Sequence, residues 1–134
     1  MALVGLTKTV GIEGDRYNIK CNAVAPIAAS RMTENILPEF LLEKLDPKYV
    51  VPLTLYLAHE VCEENGSVFE VGGGWAGKVR IEAAKGSMIT KAGNPTVEDV
   101  HHNFDKICSF EESMTVNSLQ EATMRIMANI MDQD

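Results

Sequence analysis

The sequence has no unbroken apolar run of about twenty residues, so it does not predict a membrane-spanning helix. Basic residues are outnumbered, with 12 Lys and Arg against 19 Asp and Glu, and the formal net charge is -7. Because a nucleic-acid-binding surface needs a basic stripe, that class of protein is excluded. The hydrophobic content of 46% is ordinary and predicts a soluble chain with a core of normal size.

Cysteine and histidine are scarce, and their spacing predicts neither disulfides nor a metal centre. Cys21, Cys62 and Cys108 are an odd number and lie far apart, which indicates reduced thiols in an intracellular protein. His101-His102 falls in a predicted helix, where sequence neighbours point about 100° apart, so the pair is poorly placed to bind one metal ion. We therefore predict no metal site.

Two stretches of the sequence predict strands that end in loops of small residues. Asn18–Val24 indicates a buried strand, and Pro26 then opens a small-residue loop that reaches Thr33. After a turn at Asn65-Gly66, a second strand, Ser67–Val71, runs into a glycine triplet. Parallel α/β sheets bind ligands just beyond the carboxyl ends of their strands, so the loop after Pro26 is a candidate ligand site. From these residues alone, a purely structural loop is an equally good interpretation.

Helices and strands alternate along the rest of the chain. Leu3, Leu6 and Val10 line one side of a first helix that stops at Gly14. The other predicted elements are a short helix at Pro38–Leu45, a helix opened by Asp46-Pro47, a hairpin pairing Lys78–Glu82 with Ser87–Thr90, and two helices starting at Thr96 and Ser118. The last helix carries an apolar stripe of Leu119, Ile126, Met127, Ile130 and Met131, which predicts a core or interface face.

The two strand-to-loop stretches resemble the last two strands of a short-chain dehydrogenase/reductase. Asn22–Pro26 stands at the family's Asn-x-x-x-Pro-Gly, and Val71–Gly74 stands at its Val-Asp-Gly-Gly. The segments Ser30–Glu39, His59–Trp75 and 77–82, with the tail around Phe104–Cys108, are similar to the (3R)-hydroxyacyl-CoA dehydrogenase unit of peroxisomal multifunctional enzymes of type 2. The sequence departs from the superfamily at Ile27, where glycine is usual.

This resemblance implies an α/β fold: the C-terminal half of a Rossmann-like doubly wound parallel sheet over residues 1–75, and a C-terminal extension of a hairpin and two helices over residues 76–134. It implies NAD as the cofactor, with only the nicotinamide side of the site in this chain. The residues implied to bind the cofactor are Pro26, Ile27, Ala29, Ser30 and Thr33. Those implied to line an acyl-CoA substrate pocket are Met32, Ile36, Leu37 and Phe40.

The catalytic part of the family's pattern is missing. Tyr17, Tyr49 and Tyr56 are the three tyrosines, and none is followed by lysine four residues later. The glycine-rich Gly-x-x-x-Gly-x-Gly turn is also missing. We therefore expect no catalytic residue in this chain and no activity from it alone. Two hypotheses remain open: the carboxyl half of a dehydrogenase, or a non-enzymatic chain that pairs with a full-length relative or with itself.

Partners and location follow from the resemblance alone. It implies an acyl-CoA substrate, a homodimer or pairing with a complementary half, and a peroxisomal location, although the final residues are not a Ser-Lys-Leu address. Because the strand Asn18–Val24 would lack one of its neighbours, we expect the isolated chain to dimerise, swap elements or aggregate.

Overall fold

The computed structural model describes residues 1–89 and 93–131. Contacts divide the chain into two compact units, Met1–Arg80 and Ile81–Asp134. The sequence-based limit between a dehydrogenase domain and its extension, placed after residue 75, stays a prediction. The strand that follows this limit belongs by its contacts to the first unit.

The first helix is confirmed: α1 spans Ala2–Gly14. Its buried residues are Thr7, Gly11 and Gly14, which lie four and three positions apart and so share one face. The predicted apolar side is the exposed one, since Leu3 is 73% and Leu6 58% exposed. The small residues therefore let α1 pack closely against the rest of the first unit, and its large apolar side chains face away from that contact.

A three-stranded sheet follows, ordered β1-β2-β3. β1 (Ala23–Pro26) and β2 (Val68–Gly72) pair in parallel, as the sequence predicts for adjacent strands of this fold. The predicted start of the first strand at Asn18 is wrong. Asn18 has a left-handed φ of 56°, and the N–H of Cys21 donates to Asn65 Oδ1 instead of to a strand. The left-handed turn at Asn18 and the bond from Cys21 to the distant Asn65 therefore delay β1 until Ala23.

β3 (Trp75–Val79) returns antiparallel to β2 through a two-residue turn, so the predicted hairpin is wrong. Gly73 and Gly74 have φ of 58° and 84°, the two positive values that a type I′ turn requires. This turn matches the twist of the flanking strands and places Lys78 beside Phe69. Of the predicted partner segment, Thr90 lies outside the described residues, and the described part contains no strand.

Three short helical segments connect β1 to β2. α2 spans Glu39–Leu42, a 3-10 turn spans Pro47–Tyr49, and α3 spans Val51–Leu57. The predicted start at Asp46 is confirmed, because its carboxylate accepts from the Lys48 N–H at 2.9 Å. The second helix predicted at Pro38–Leu45 is real but shorter at both ends.

The second unit contains β4 (Glu82–Ala83), α4 (Val97–Cys108), β5 (Met114–Thr115) and α5 (Leu119–Met131). β4 pairs antiparallel with β5. The predicted start of α4 is confirmed as a capping box between Thr96 and Asp99. The Ser118 hydroxyl accepts from the Glu121 N–H at 3.1 Å, which confirms the start of α5. The apolar stripe of α5 is exposed.

Side-chain amides connect the starts of β1 and β2. The Asn22 amide donates to the Glu64 carbonyl at 2.8 Å, and its oxygen accepts from the Ser67 N–H at 3.1 Å. The Asn65 amide donates to the Gly11 carbonyl at 2.9 Å, which joins α1 to the same turn. This network holds the register of the parallel pair, and with it the loop at the opposite end of β1.

Glu64, beside this network, forms an ion pair with Lys78 whose contribution to stability can be measured. Its carboxylate accepts from Lys78 Nζ at 2.7 Å and from the Ser67 hydroxyl at 2.8 Å, and these two bonds, Lys78 first, lower the pKa of Glu64. A lowered pKa in the folded chain stabilises it above the ordinary carboxyl pKa, and this stabilisation is lost as the pH falls through the folded value. Because both side chains are more than a third exposed, the contribution is below about 1 kcal/mol.

We therefore expect Lys78→Met to weaken folding slightly at pH 7 and to weaken it less at pH 3. Urea unfolding at the two pH values measures the difference, and Lys44→Met controls for the loss of a surface charge. An equal loss from Lys78→Met at both pH values would mean that the ion pair does not contribute.

Candidate functional site

The candidate site lies where β1 ends and the chain enters the loop that follows Pro26. Pro26 pairs with Val71, and the Ile27 N–H donates to the Val71 carbonyl at 2.8 Å, which extends the strand by one bond. The Ala29 N–H then donates to the Leu45 carbonyl at 2.7 Å. The first residues of the loop are therefore fixed between the end of β2 and the segment that follows α2.

Close packing at Gly72 sets the path of this loop. A Cβ atom at Gly72 would lie 2.3 Å from Ile27 Cγ2 and 2.5 Å from the Ile27 carbonyl oxygen. Because real Cβ contacts are essentially never under 3.0 Å, glycine alone fits here without a shift. The chain therefore crosses directly over the end of β2, and Ile27 takes its place there although the superfamily usually has glycine.

The structure brings Ser30 and Thr33 together. Thr33 Oγ1 accepts from the Ser30 N–H at 2.8 Å, and the two hydroxyl oxygens are 3.3 Å apart. The Thr33 hydroxyl lies within donating distance of two carbonyl oxygens, Ala28 at 3.1 Å and Ser30 at 3.0 Å. The Ser30 carbonyl also accepts from the N–H groups of Thr33 and Glu34, so the two hydroxyls and the Ala28 carbonyl are the groups of this turn that can donate to and accept from an amide group.

The other residues implied to bind the cofactor surround this turn. The N–H groups of Ile27 and Ala29 are used within the chain, so a ligand amide would meet carbonyl oxygens and hydroxyls here rather than these N–H groups. Pro26 and Ile27 are exposed, and Ala29 is half-buried. Leu45 has a positioning role that the sequence did not indicate. It acts through its backbone carbonyl, and no side-chain pattern could have found it.

Three of the residues implied to bind the substrate follow in the same loop, and the fourth, Phe40, lies in α2. Met32 is 84%, Ile36 77% and Phe40 61% exposed, and Leu37 is half-buried. Their backbone is held by bonds from the N–H groups of Ile36 and Leu37 to the Thr33 carbonyl, both at 3.0 Å. Large apolar side chains on an exposed loop suit contact with an apolar ligand. Their assignment to an acyl chain stays a prediction.

None of the three tyrosines of the sequence, Tyr17, Tyr49 and Tyr56, is followed by lysine four residues later. Tyr17 lies under the Arg16 guanidinium at 4.6 Å, and Tyr49 lies 5.2 Å from Lys48 Nζ. That lysine is bound to Asp46 at 2.8 Å.

No group of His, Cys, Asp and Glu among residues 1–89 and 93–131 could hold a metal ion. Over the same ranges, no helix is both long and apolar enough to cross a membrane.

Comparison with known proteins agrees with this architecture, although no protein-family profile matches the chain. The chain is 50% identical over 124 residues to mouse peroxisomal multifunctional enzyme type 2, a match that covers 92% of the chain. The structure of the full-length Drosophila melanogaster type 2 enzyme superposes on 94% of the chain with a TM-score of 0.84 at 34% identity. A short-chain dehydrogenase from Mycobacterium avium superposes on 80% of it, with a TM-score of 0.59 at 30% identity.

The fold is therefore part of a Rossmann-like short-chain dehydrogenase, and the α/β class predicted from the sequence is confirmed. Within that class, the chain is homologous to a segment of the peroxisomal multifunctional enzymes of type 2. It spans 17% of the length of the mouse enzyme and 23% of the Drosophila chain, and 37% of the M. avium protein.

Proposed function

We propose that this chain is the C-terminal part of an NAD-dependent (3R)-hydroxyacyl-CoA dehydrogenase of peroxisomal fatty-acid β-oxidation. The observation that carries the proposal is the Ser30–Thr33 turn at the carboxyl end of β1, in a fold that matches the Drosophila enzyme over 94% of the chain. Ligands of open parallel sheets bind at this position. The chain's contribution is the nicotinamide side of the cofactor site and part of the substrate pocket.

The polar groups of the turn fit the carboxamide of NAD. That group has an N–H₂ donor and a carbonyl acceptor, which complement the carbonyl of Ala28 and the hydroxyls of Ser30 and Thr33. Pro26, Ile27 and Ala29 keep the backbone close to the ring, because their side chains are small or point over Gly72. Bound NAD would supply the hydride acceptor, and the hydroxyls of Ser30 and Thr33 with the Ala28 carbonyl would hold its carboxamide and so orient the ring.

The apolar residues of the following loop are proposed to contact the acyl chain of the substrate. Met32, Ile36 and Phe40 are exposed here, so burying them against a fatty acyl group would remove apolar surface from water. Half-buried Leu37 continues the same surface. The catalytic acid/base and the grip on the pyrophosphate are proposed to come from other residues of the complete enzyme.

A second candidate function is a non-enzymatic interaction chain. The exposed apolar side of α1, with Leu3, Leu6 and Val10, favours association with a second copy or with a complementary half. Pairing of this kind is also compatible with the dehydrogenase proposal, in which the complete enzyme would be a homodimer. A peroxisomal location is proposed for the complete enzyme, as the names of the relatives state for them.

A chimeric enzyme tests the dehydrogenase proposal. In it, this chain replaces the matching 124-residue segment of the mouse enzyme, and NAD reduction with a (3R)-hydroxyacyl-CoA is measured. We expect activity, and we expect Thr33→Val to lower kcat/KM by roughly 10- to 100-fold through the loss of one or two hydrogen bonds. Thr33→Ser keeps the hydroxyl and should recover most of the rate.

The matched control is Thr54→Val in α3. The Thr54 hydroxyl donates to the Val50 carbonyl at 3.1 Å inside the helix, so its loss should leave the rate unchanged. A folded chimera that binds NAD normally after Thr33→Val would contradict the assignment of the turn.

The isolated chain should bind NAD too weakly to saturate at millimolar concentration. Contacts to the adenine and pyrophosphate supply much of dinucleotide affinity, and the glycine-rich turn that makes them is not in this sequence. Calorimetric titration with NAD measures the affinity. A micromolar dissociation constant would show a nucleotide site that our proposal does not contain.

A further inference from the structure

The turn before β2 contains Asn65 followed by Gly66, a pair that can lose its side-chain amide without an enzyme. The Gly66 nitrogen attacks Asn65 Cγ, so a new bond forms between these two atoms as the bond from Cγ to Nδ2 breaks. Ammonia leaves with the proton of the Gly66 N–H, and a cyclic succinimide remains. Water then opens this ring at either carbonyl and gives aspartate or isoaspartate. Glycine favours the attack, because it has no Cβ to hinder the approach.

In the folded chain both reacting groups are held by hydrogen bonds. The Gly66 N–H donates to the Cys21 carbonyl at 2.8 Å, so the attacking nitrogen is engaged with the segment that leads into β1. Asn65 Oδ1 accepts from the Cys21 N–H at 2.9 Å, and Asn65 Nδ2 donates to the Gly11 carbonyl at 2.9 Å. Ring closure must rotate this side-chain amide and remove the proton from the Gly66 nitrogen. It therefore requires these bonds to break.

α1 packs directly on the same two groups. A Cβ atom at Gly11 would lie 2.8 Å from Asn65 Oδ1 and 2.9 Å from the Gly66 nitrogen, closer than real Cβ contacts. Gly11 is buried, and Asn65 and Gly66 are half-buried. The backbone of α1 at Gly11 is thus in contact with both reacting groups, and the groups that restrain them all belong to this chain.

We propose that Asn65-Gly66 is a deamidation site that the packing of α1 keeps closed, so that the chain is modified there only after α1 separates from the turn. The product does not fit the folded junction. Aspartate at position 65 cannot donate to the Gly11 carbonyl, and its carboxylate would face that oxygen. Isoaspartate adds a methylene to the backbone just before Val68 pairs with Ala23. Deamidation therefore marks irreversibly the chains that have opened, independently of the dehydrogenase function.

Peptide mass spectrometry tests the protection. The full chain is incubated at mildly alkaline pH in buffer and in unfolding urea, and the conversion of Asn65 to aspartate and isoaspartate is followed with time. We expect the rate in buffer to be lower than in urea by at least about ten-fold, because the reaction requires the junction to open. Asn117-Ser118, exposed at Asn117, is the internal control, and its two rates should differ far less. Equal rates at Asn65 in buffer and in urea would overturn the proposal.

Two glycine variants test the role of α1. Gly11→Ala pushes α1 away from the turn, so deamidation of Asn65 in buffer should become several-fold faster. Gly5→Ala is the matched control in the same helix, since an added Cβ there has nothing within 4 Å, and it should not raise the rate.

A further measurement needs no substitution. In urea below the unfolding transition, hydrogen exchange of the Gly66 amide and deamidation of Asn65 should accelerate in parallel, because both require the bond to Cys21 to open. Deamidation that accelerates without faster exchange at Gly66, or an unchanged rate in Gly11→Ala, would contradict the proposal.

Discussion

Purified by itself, the 134-residue chain is expected to give no turnover of 3-ketoacyl-CoA with NADH, and none of (3R)-hydroxyacyl-CoA with NAD. Positioned acid/base groups contribute roughly 10²- to 10⁴-fold to such reactions, and no tyrosine in the chain has lysine four residues later. Weak cofactor binding lowers the expected rate further, because hydride transfer requires both reactants to be held in contact. The absorbance of NADH, followed with micromolar protein, measures the rate.

The chimera described above provides the positive control for this assay. It contains the same Ser30–Thr33 turn and the same loop, so its activity would show that these residues are competent and that the isolated chain lacks partners for them. Adding the remainder of the mouse enzyme as a separate polypeptide should restore part of the rate if the two pieces assemble. Turnover by the isolated chain above a buffer control, and lost on Thr33→Val, would mean that it contains an acid/base group we have not identified.

The sequence predicted the fold class correctly because its strongest signals are local. α1 has the apolar spacing and the length of a helix, and Asp46-Pro47 and Thr96-Asp99 start helices through hydrogen bonds within a few residues. The contact between Ser30 and Thr33 is also of a kind that a sequence can indicate, since residues three apart meet in a tight turn. Local chemistry of this kind needs no knowledge of the tertiary structure.

The errors came from competition between distant segments. Alternation from Lys78 to Glu82 predicts a strand but not its partner. The Gly73-Gly74 turn pairs Lys78 with β2, so Lys78 does not pair with the predicted partner segment Ser87–Thr90. β1 begins late because Asn65, 44 residues away from Cys21, takes the backbone donor that a strand would use. The contact between Ala29 and Leu45 is made by backbone atoms, which the amino-acid sequence does not distinguish.

The substitution with the largest expected effect on stability is Gly72→Ala. The added methyl would lie 2.3 Å from Ile27 Cγ2 and 2.5 Å from the Ile27 carbonyl, so either β2 or the start of the site loop must shift. Forcing an extra methyl into packed structure typically costs about 1–3 kcal/mol, and a backbone contact places this site at the upper end. Trp75 is the only tryptophan and lies on β3, so its fluorescence during urea unfolding reports on the first unit.

Two further variants separate the clash from other effects of the alanine. Gly5 lies in α1 with nothing within 4 Å of an added Cβ, so Gly5→Ala should stabilise the chain by about 0.5–1 kcal/mol through helix propensity alone. Ile27→Ala removes the side-chain half of the clash but leaves the carbonyl, so adding it to Gly72→Ala should recover only part of the loss. Full recovery would mean that the backbone can move freely and that Gly72 does not fix the path of the loop. No loss from Gly72→Ala at all would show that Ile27 does not cross the end of β2, and the geometry assigned to the Ser30–Thr33 turn would lose its support.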